Sequence, residues 1–333
     1  MTQFDAAEDP IPRDRFGRPL IVPPDGSSAK PVPYTRCTTF VGVMDDTWNI
    51  TQWEKRMVAI GLVERKDLLL SVAAHRDPTE KKTLNKIVDQ AKEAARASSA
   101  ATVGTAVHKF TELVDRGDPI PDYLPDDAKR DLRAYQQGTR SLRPVAAEQF
   151  TVNDHFQVGG TPDRVVEHGG RYFIADLKTG NVEFAAMKIA MQMAMYAHSV
   201  PYSHTTGERT PWQWPIDQDW GLVIHLPAGE AHCELKWIDI AAGWEAVQTA
   251  YEVRQWRARK AKDWYRPFGE PASAEELTPG ELDPVSGYLK RVTDTGSVLH
   301  LYAIWSAAAA TRHNTDELRA ACKARRLQIE GKN

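Results

Sequence analysis

"VGGTPDRVVEHGGRYFIADLKTG", residues 158–180, decides how this chain is read. Val165, Val166, Tyr172, Phe173, Ile174 and Leu177 supply strand content, and His168-Gly169-Gly170 supplies a turn, so the stretch reads as a β-hairpin. A hairpin this apolar belongs in a domain interior, yet it carries Asp163, Asp176 and Lys178, charges that cores exclude. If Gly169-Gly170 is a two-residue loop, 168 pairs with 171, 167 with 172 and 165 with 174. Asp163 then falls opposite Asp176, with Cβ atoms roughly 4.5–5.5 Å apart. Lys178 projects from the same face about 7 Å further along. A three-residue His-Gly-Gly loop would set Asp163 diagonal to Asp176 and on the other face. Facing carboxylates in a half-buried sheet raise each other's pKa. A divalent cation removes that penalty, and a preference for oxygen ligands fits Mg²⁺ or Mn²⁺. The lysine beside them can hold or deprotonate a water. The bland alternative is a set of edge-strand charges in water with a stray ion pair.

Two further stretches bear on that choice. In "GTAVHKFTEL", residues 104–113, helical periodicity puts Val103, Val107, Phe110 and Val114 on one apolar stripe. His108 lies off the stripe, on the flank of Gly104 and Thr111. Its ring leans toward the helix N-terminus over Gly104, where no side chain obstructs an ion or phosphate. In "AMKIAMQMAMYAHS", residues 186–199, Met187, Met191 and Met195 make a core-filling stripe. Lys188, Gln192 and Tyr196 form a polar row at the same spacing. That row is either a solvated face or a set of phosphate-backbone donors without base preference.

Around this centre, residues 1–33 contain seven prolines and read as a flexible, extended arm without its own core. Residues 34–267 carry helices, a cluster of strands, one helix, two more strands and a long helix, which is an α/β architecture with a mixed central β-sheet flanked by helices. Thr51 and Glu54 are expected as a capping box, with Trp53, Met57 and Ile60 facing inward. Gly117 closes the His108 helix. Residues 268–333 read as a small C-terminal helical appendage. Trp212, Trp214 and Trp220 are expected to pack a loop onto the sheet, with base stacking as the functional alternative. The basic runs "RQWRARKAK" and "KARRLQ" read as solvated helix faces, with phosphate contact as a second possibility.

The 333 residues are 42% hydrophobic and 26% charged, with a net charge of −3, an ordinary globular composition without a global basic field. No run reaches the roughly 18 apolar residues of a membrane span, and the first residues lack a secretion pattern, so a cytoplasmic protein is expected. Three scattered cysteines, Cys37, Cys233 and Cys322, provide neither a disulfide framework nor four ligands for an iron–sulfur cluster. No GxxxxGK[ST] loop is present, so no ATP-driven motor is expected.

These pieces resemble the PD-(D/E)XK nuclease superfamily, specifically its RecB-like branch, which includes phage recombination exonucleases and CRISPR-associated Cas-family exonucleases. Pro162-Asp163 matches the "PD", Asp176-Leu177-Lys178 with the following Thr-Gly matches the "DLKTG", and "GTAVH" matches the first motif of the branch. Gln192 to Tyr196 matches its QxxxY motif, and the order holds over residues 104–196. The resemblance implies a restriction-endonuclease-like core. Asp163 and Asp176 would bind one or two Mg²⁺ or Mn²⁺ ions with help from the Leu177 carbonyl and His108, and Lys178 would activate the attacking water. Gln192 and Tyr196 would steady the DNA or the lysine, and Glu148 matches an accessory acidic position; Lys188 is expected to contact DNA from its place in the polar row alone. The implied activity is a metal-dependent exonuclease at linear DNA ends, 5′→3′ on duplex, in phage-type recombination or repair, partnered by a strand-annealing recombinase. The rivals are an endonuclease of the same fold, restriction-like or junction-resolving, and a catalytically idle DNA-binding or assembly module.

Overall fold

The Gly169-Gly170 turn takes φ of +60° and +78°, left-handed values that glycine adopts without strain. It joins β7 (Arg164–His168) to β8 (Arg171–Lys178), in a computed structural model that describes residues 11–24, 30–95, 99–265, 284–310 and 313–329. The register is the two-residue-loop one: His168 pairs with Arg171, Glu167 with Tyr172, Val165 with Ile174 and Arg164 with Ala175. Asp163 keeps the position opposite Asp176 but stands one residue outside the strand.

The hairpin is the middle of a five-stranded sheet of order β11-β10-β8-β7-β4. Its other members are β4 (Arg143–Ala147), β10 (Trp220–His225) and β11 (Glu234–Asp239). Only β8 and β10 run parallel; the other neighbours are antiparallel. Phe173 through Leu177 are all buried, because helices cover both faces of β8, and this explains a nearly unbroken apolar run there. Val165, Ile174 and Val223 face α7 (Ala186–Ala197) and α8 (Ile240–Ala258). Val166, Phe173, Ala175 and Leu177 face α5 (Ser99–Asp115) and α6 (Asp126–Gly138) through Val107 and Tyr135. The mixed α/β layering expected from the sequence is therefore present.

A second sheet, of order β3-β6-β5-β9, joins β3 (Thr35–Arg36), β5 (Thr151–Asn153), β6 (Val158–Gly160) and β9 (Val200–Pro201). Its β6 delivers the chain to Asp163. Within the stretch read as an arm, β1 (Leu20–Ile21) pairs with β2 (Val32–Pro33). Ile21 is fully buried with Tyr34, Phe150, Val152 and Tyr202. The prolines shorten these strands without preventing the packing.

The helices α1 (Cys37–Val41), α2 (Trp48–Glu64), α3 (Lys66–Ala74) and α4 (Lys81–Ala94) precede α5. The expected capping box is absent. Asp46 accepts the Trp48 N–H at 2.9 Å, so α2 starts three residues before Thr51, and Glu54 instead pairs with Lys92 at 2.6 Å. Val58 and Leu62, not Ile60, pack on α4, while Ile60 is exposed. In α5, Gly117 closes the helix at φ +82° with its N–H bonded to the Val114 carbonyl, but Val103 is exposed. In α7, Met191 and Met195 are fully buried and Met187, in the first turn, is exposed.

The chain divides into two compact units, Met1–Arg259 and Lys260–Asn333. In the second, α9 (Pro284–Asp294), α10 (Val298–Ala310) and α11 (Asp316–Ile329) close on Val292, Leu301, Ile304, Ala308 and Leu318. Pro284 occupies the first position of α9, where its missing N–H costs nothing, so a Pro-rich stretch starts a helix. Among the described residues no helix is long and apolar enough to cross a membrane.

Gly243 of α8 sets how closely α7 and α8 approach each other over this face of the sheet. A Cβ there would lie 2.5 Å from the Ala190 carbonyl of α7, a backbone contact that cannot give way. Gly243→Ala should therefore cost roughly 1–3 kcal/mol, although alanine in a free helix gains about 0.5–1 kcal/mol over glycine. A lower urea midpoint for the variant is the expected result, and a raised midpoint would contradict this packing.

Candidate active site

Asp163 leaves the ladder, turns back on β8, and its Oδ2 accepts the Leu177 N–H at 2.7 Å. Its own carbonyl accepts the Glu148 N–H at 3.1 Å, so both ends of the residue are fixed. Asp176 is 1% exposed. The Lys178 ammonium pairs with its Oδ2, but that oxygen accepts no hydrogen bond of good geometry. Burial first, and then the negative Asp163, pushes the Asp176 carboxyl up to about 6 against the pull of Lys178.

His108 reaches the same point from α5, with Nδ1 3.5 Å from Asp163 Oδ2 and a backbone hydrogen bond to Leu177. Burial lowers its pKa, and Asp163 opposes that shift. The space over Gly104 is not open as expected. Gly104 is buried, and the Thr179 hydroxyl would stand 2.9 Å from a Cβ at that position. Glu148, which follows β4, has a left-handed φ of +49°, uncommon for a non-glycine residue. Its carboxyl is pushed up to about 7 by partial burial and by Asp163, Glu112 and Asp176. Burial also raises Glu112, on α5.

Beneath this acidic group lies an arrangement the sequence reading missed. Arg164 is 1% exposed and points to the opposite face from Asp163, toward α5 and α6. Its Nε donates to Asp115 Oδ2 at 2.9 Å, an Nη to Thr111 at 3.2 Å, and Tyr135 donates to Asp115 Oδ1 at 2.6 Å. The guanidinium lies over the Tyr135 ring, 5.6 Å from its centroid. The one signal in the sequence was strand parity, since an arginine between Asp163 and Val165 must face inward, where a buried cation demands a partner.

The polar row on α7 divides. Lys188 is ion-paired with Asp45. Gln192 Nε2 donates to the Tyr196 hydroxyl at 3.2 Å, and Tyr196 is 4% exposed. The Tyr196 ring fills the gap over Gly160, where a Cβ would meet it at 2.8 Å and Cys37 at 2.9 Å. Trp212 donates to the Ser199 carbonyl at 3.0 Å and Trp214 stacks on Tyr172 at 5.8 Å, the packing role expected of them. Trp220 is 43% exposed.

Among the described residues no three His, Cys, Asp or Glu side chains close into a ready-made metal cage. The donors at hand for a cation are the Asp163 and Asp176 carboxylates, the His108 ring and the Leu177 backbone.

Because the folded-state pKa of Asp176 is raised, the native chain binds more protons than the unfolded one between about pH 4 and its folded value of about 6. Without divalent ions, stability therefore falls as pH rises through that window. Asp176→Asn removes the buried charge. Its melting temperature relative to wild type should rise between pH 4 and pH 7.5 in EDTA, and a difference that does not change with pH would refute the buried-carboxylate reading.

Comparison with the curated proteins finds no match to the chain. The family model described as "PD-(D/E)XK nuclease superfamily" matches residues 122–275, a span that includes Asp163, Asp176, Lys178, Gln192 and Tyr196 but not His108. Residues 122–275 of this chain are thus similar to the PD-(D/E)XK nuclease superfamily.

Proposed function

We propose that the chain is a Mg²⁺- or Mn²⁺-dependent deoxyribonuclease whose site is Asp163, Asp176 and Lys178, with His108 and the Leu177 carbonyl as further ligands and Glu148 as an accessory acid. One observation carries the reading: the "PD" and "DLK" residues converge on one point through the Asp163–Leu177 hydrogen bond and the Asp176–Lys178 pair. The residues fit a hard cation. Asp176 Oδ2 is a buried oxygen that, beyond its ion pair with Lys178, accepts no hydrogen bond of good geometry, the neighbouring donors are mainly oxygens, and PD-(D/E)XK nucleases generally use these two ions.

A bound ion supplies Lewis-acid polarisation of the phosphoryl oxygen and a lowered pKa for water. The chain supplies position and charge. Asp163 is held by two backbone contacts and Asp176 by the strand, so their oxygens need no reorganisation. Lys178, 29% exposed at its side chain, lies between Asp176 and solvent, where its ammonium can orient a water and, after giving its own proton to solvent, its neutral amine can take the water's proton. Tyr196 and Gln192 act as positioning residues, because the buried phenol supports Gly160 at the approach to Asp163. A phosphate reaching Lys188 would have to compete with Asp45.

The finer assignment is an exonuclease at linear ends, 5′→3′ on duplex DNA, working with a strand-annealing protein in phage-type recombination. Its support is the resemblance of the His108 and QxxxY motifs. Linear and covalently closed circular duplexes, incubated with Mn²⁺, separate the readings. The wild-type protein should degrade the linear substrate and spare the circle, and Lys178→Ala should slow degradation by about 10²–10⁴-fold while keeping the folded circular-dichroism spectrum. A cut circle would replace exonuclease by endonuclease, and a Lys178→Ala protein as fast as wild type would remove Lys178 from the mechanism.

A further inference from the structure

We propose that Phe184, at the tip of the turn that follows Lys178, is a base-stacking residue, so that the strand entering the site presents an unpaired base there. The substrate class is then a single strand, an overhang or an opened duplex end. This deepens the nuclease reading and rests on it for the choice of DNA as the ligand.

Phe184 is 96% exposed, the most exposed large apolar side chain among the described residues. A lone apolar residue on a surface is ordinary, but the setting of this one is not. The chain is fixed on both sides of the ring. Before it, the Lys178 and Thr179 carbonyls accept the Leu226 and Ala228 N–H groups at 2.9 and 3.3 Å, and the Gly180 carbonyl accepts from His225 Nε2 at 3.0 Å. Asn181 Oδ1 accepts the Glu183 N–H at 2.8 Å. The Val182 side chain is buried in the cluster that contains Ile189 and Met191, and the Val182 carbonyl accepts the Ala185 N–H at 3.3 Å. Of the two apolar side chains in this turn, the smaller is buried and the larger is left in water. Burial energy alone favours the opposite choice.

The position also points to the substrate. Phe184 stands between Lys178, at the end of β8, and the start of α7 at Ala186. Met187, in the first turn of α7, is 50% exposed and extends the apolar tip. Gln192 follows about 7.5 Å further along the same helix, and Tyr196 beyond it supports Gly160 at the approach to Asp163. Phosphate is the wrong partner for this tip. Glu183 beside the ring is exposed, and Lys188 is already paired with Asp45. An uncharged ring suits the π-face of a base, which every base offers regardless of sequence. Inside a duplex each base face is covered by its neighbours, so an unpaired or terminal base is the one that can stack.

The test uses the full chain in EDTA, so that nothing is cleaved, with short single strands that each carry one 2-aminopurine, a base whose fluorescence is quenched by stacking. The wild-type protein should quench the probe at one position or two adjacent ones. Phe184→Ala removes a side chain that packs on almost nothing, so it should fold as wild type, lose that quenching and bind the strands about 5- to 100-fold more weakly. Its affinity for covalently closed circular duplex should be unaltered. Phe184→Trp should retain binding, whereas Phe184→Leu, apolar but without a π-face, should behave like the alanine variant. Quenching by Phe184→Leu equal to that of wild type, no quenching by the wild type at any position, or an equal loss of affinity for the closed circle would overturn the proposal. So would a Phe184→Ala protein that keeps the quenching and instead dissociates an oligomer, which would assign the ring to self-association. Failure of the nuclease reading would look different: the wild-type protein would cut no DNA with either metal, while the quenching would still report on Phe184.

Discussion

Two like charges, Asp163 and Asp176, are held together at the end of one β-hairpin, and much of the packing around them serves that constraint. Asp176 sits mid-strand at 1% exposure, where a carboxylate loses most of its hydration. Asp163 faces it from the partner strand and is kept there by the Leu177 N–H at 2.7 Å. Lys178 offsets part of the repulsion, and the Asp176 carboxyl is still pushed up to about 6. A pair left in this condition is ready to accept a cation, because the repulsion is already present in the folded chain and binding relieves it.

The fold holds that pair in place from both sides of the sheet. On one side, Arg164 and Asp115 tie β7 to α5 in a buried ion pair that Thr111 and Tyr135 extend. Pairs of this kind are costly to break once one partner is gone, by about 3–5 kcal/mol. The tie fixes α5, and with it His108, relative to the strand that follows Asp163. On the other side, Tyr196 fills the space over Gly160, and Gly243 lets α8 close on α7. Asp176 is thus set within a strand, and Asp163, one residue outside β7, is tied down by the Leu177 and Glu148 backbone N–H groups, the preorganisation that the proposed electrostatic catalysis needs.

The hairpin register was legible because a Gly-Gly loop with positive φ leaves little choice of turn, and period-two burial then assigned each side chain to a face. His108 was legible because helical periodicity placed it off the apolar stripe. Arg164 was not, since its partner Asp115 lies 49 residues away and no local pattern links them. Tyr196 misled the reading: a phenol in line with a lysine and an amide looks like a polar row, yet the missing side chain at Gly160 draws it inside. The capping box failed for a local reason, because α2 already begins at Trp48, whose N–H Asp46 accepts, and Thr51 therefore lies inside the helix. Proline counts obscured both the β1–β2 pair and α9, where prolines sit at positions that need no N–H.

The convergence of Asp163 and Asp176 on one cation is tested most directly by calorimetric titration of Mn²⁺ into the metal-free protein and into Asp163→Ala. Saturable uptake of one or two ions by the wild-type chain, lost or weakened at least tenfold in the variant, is the expected result. No uptake by the wild type, or equal uptake by both, would contradict it.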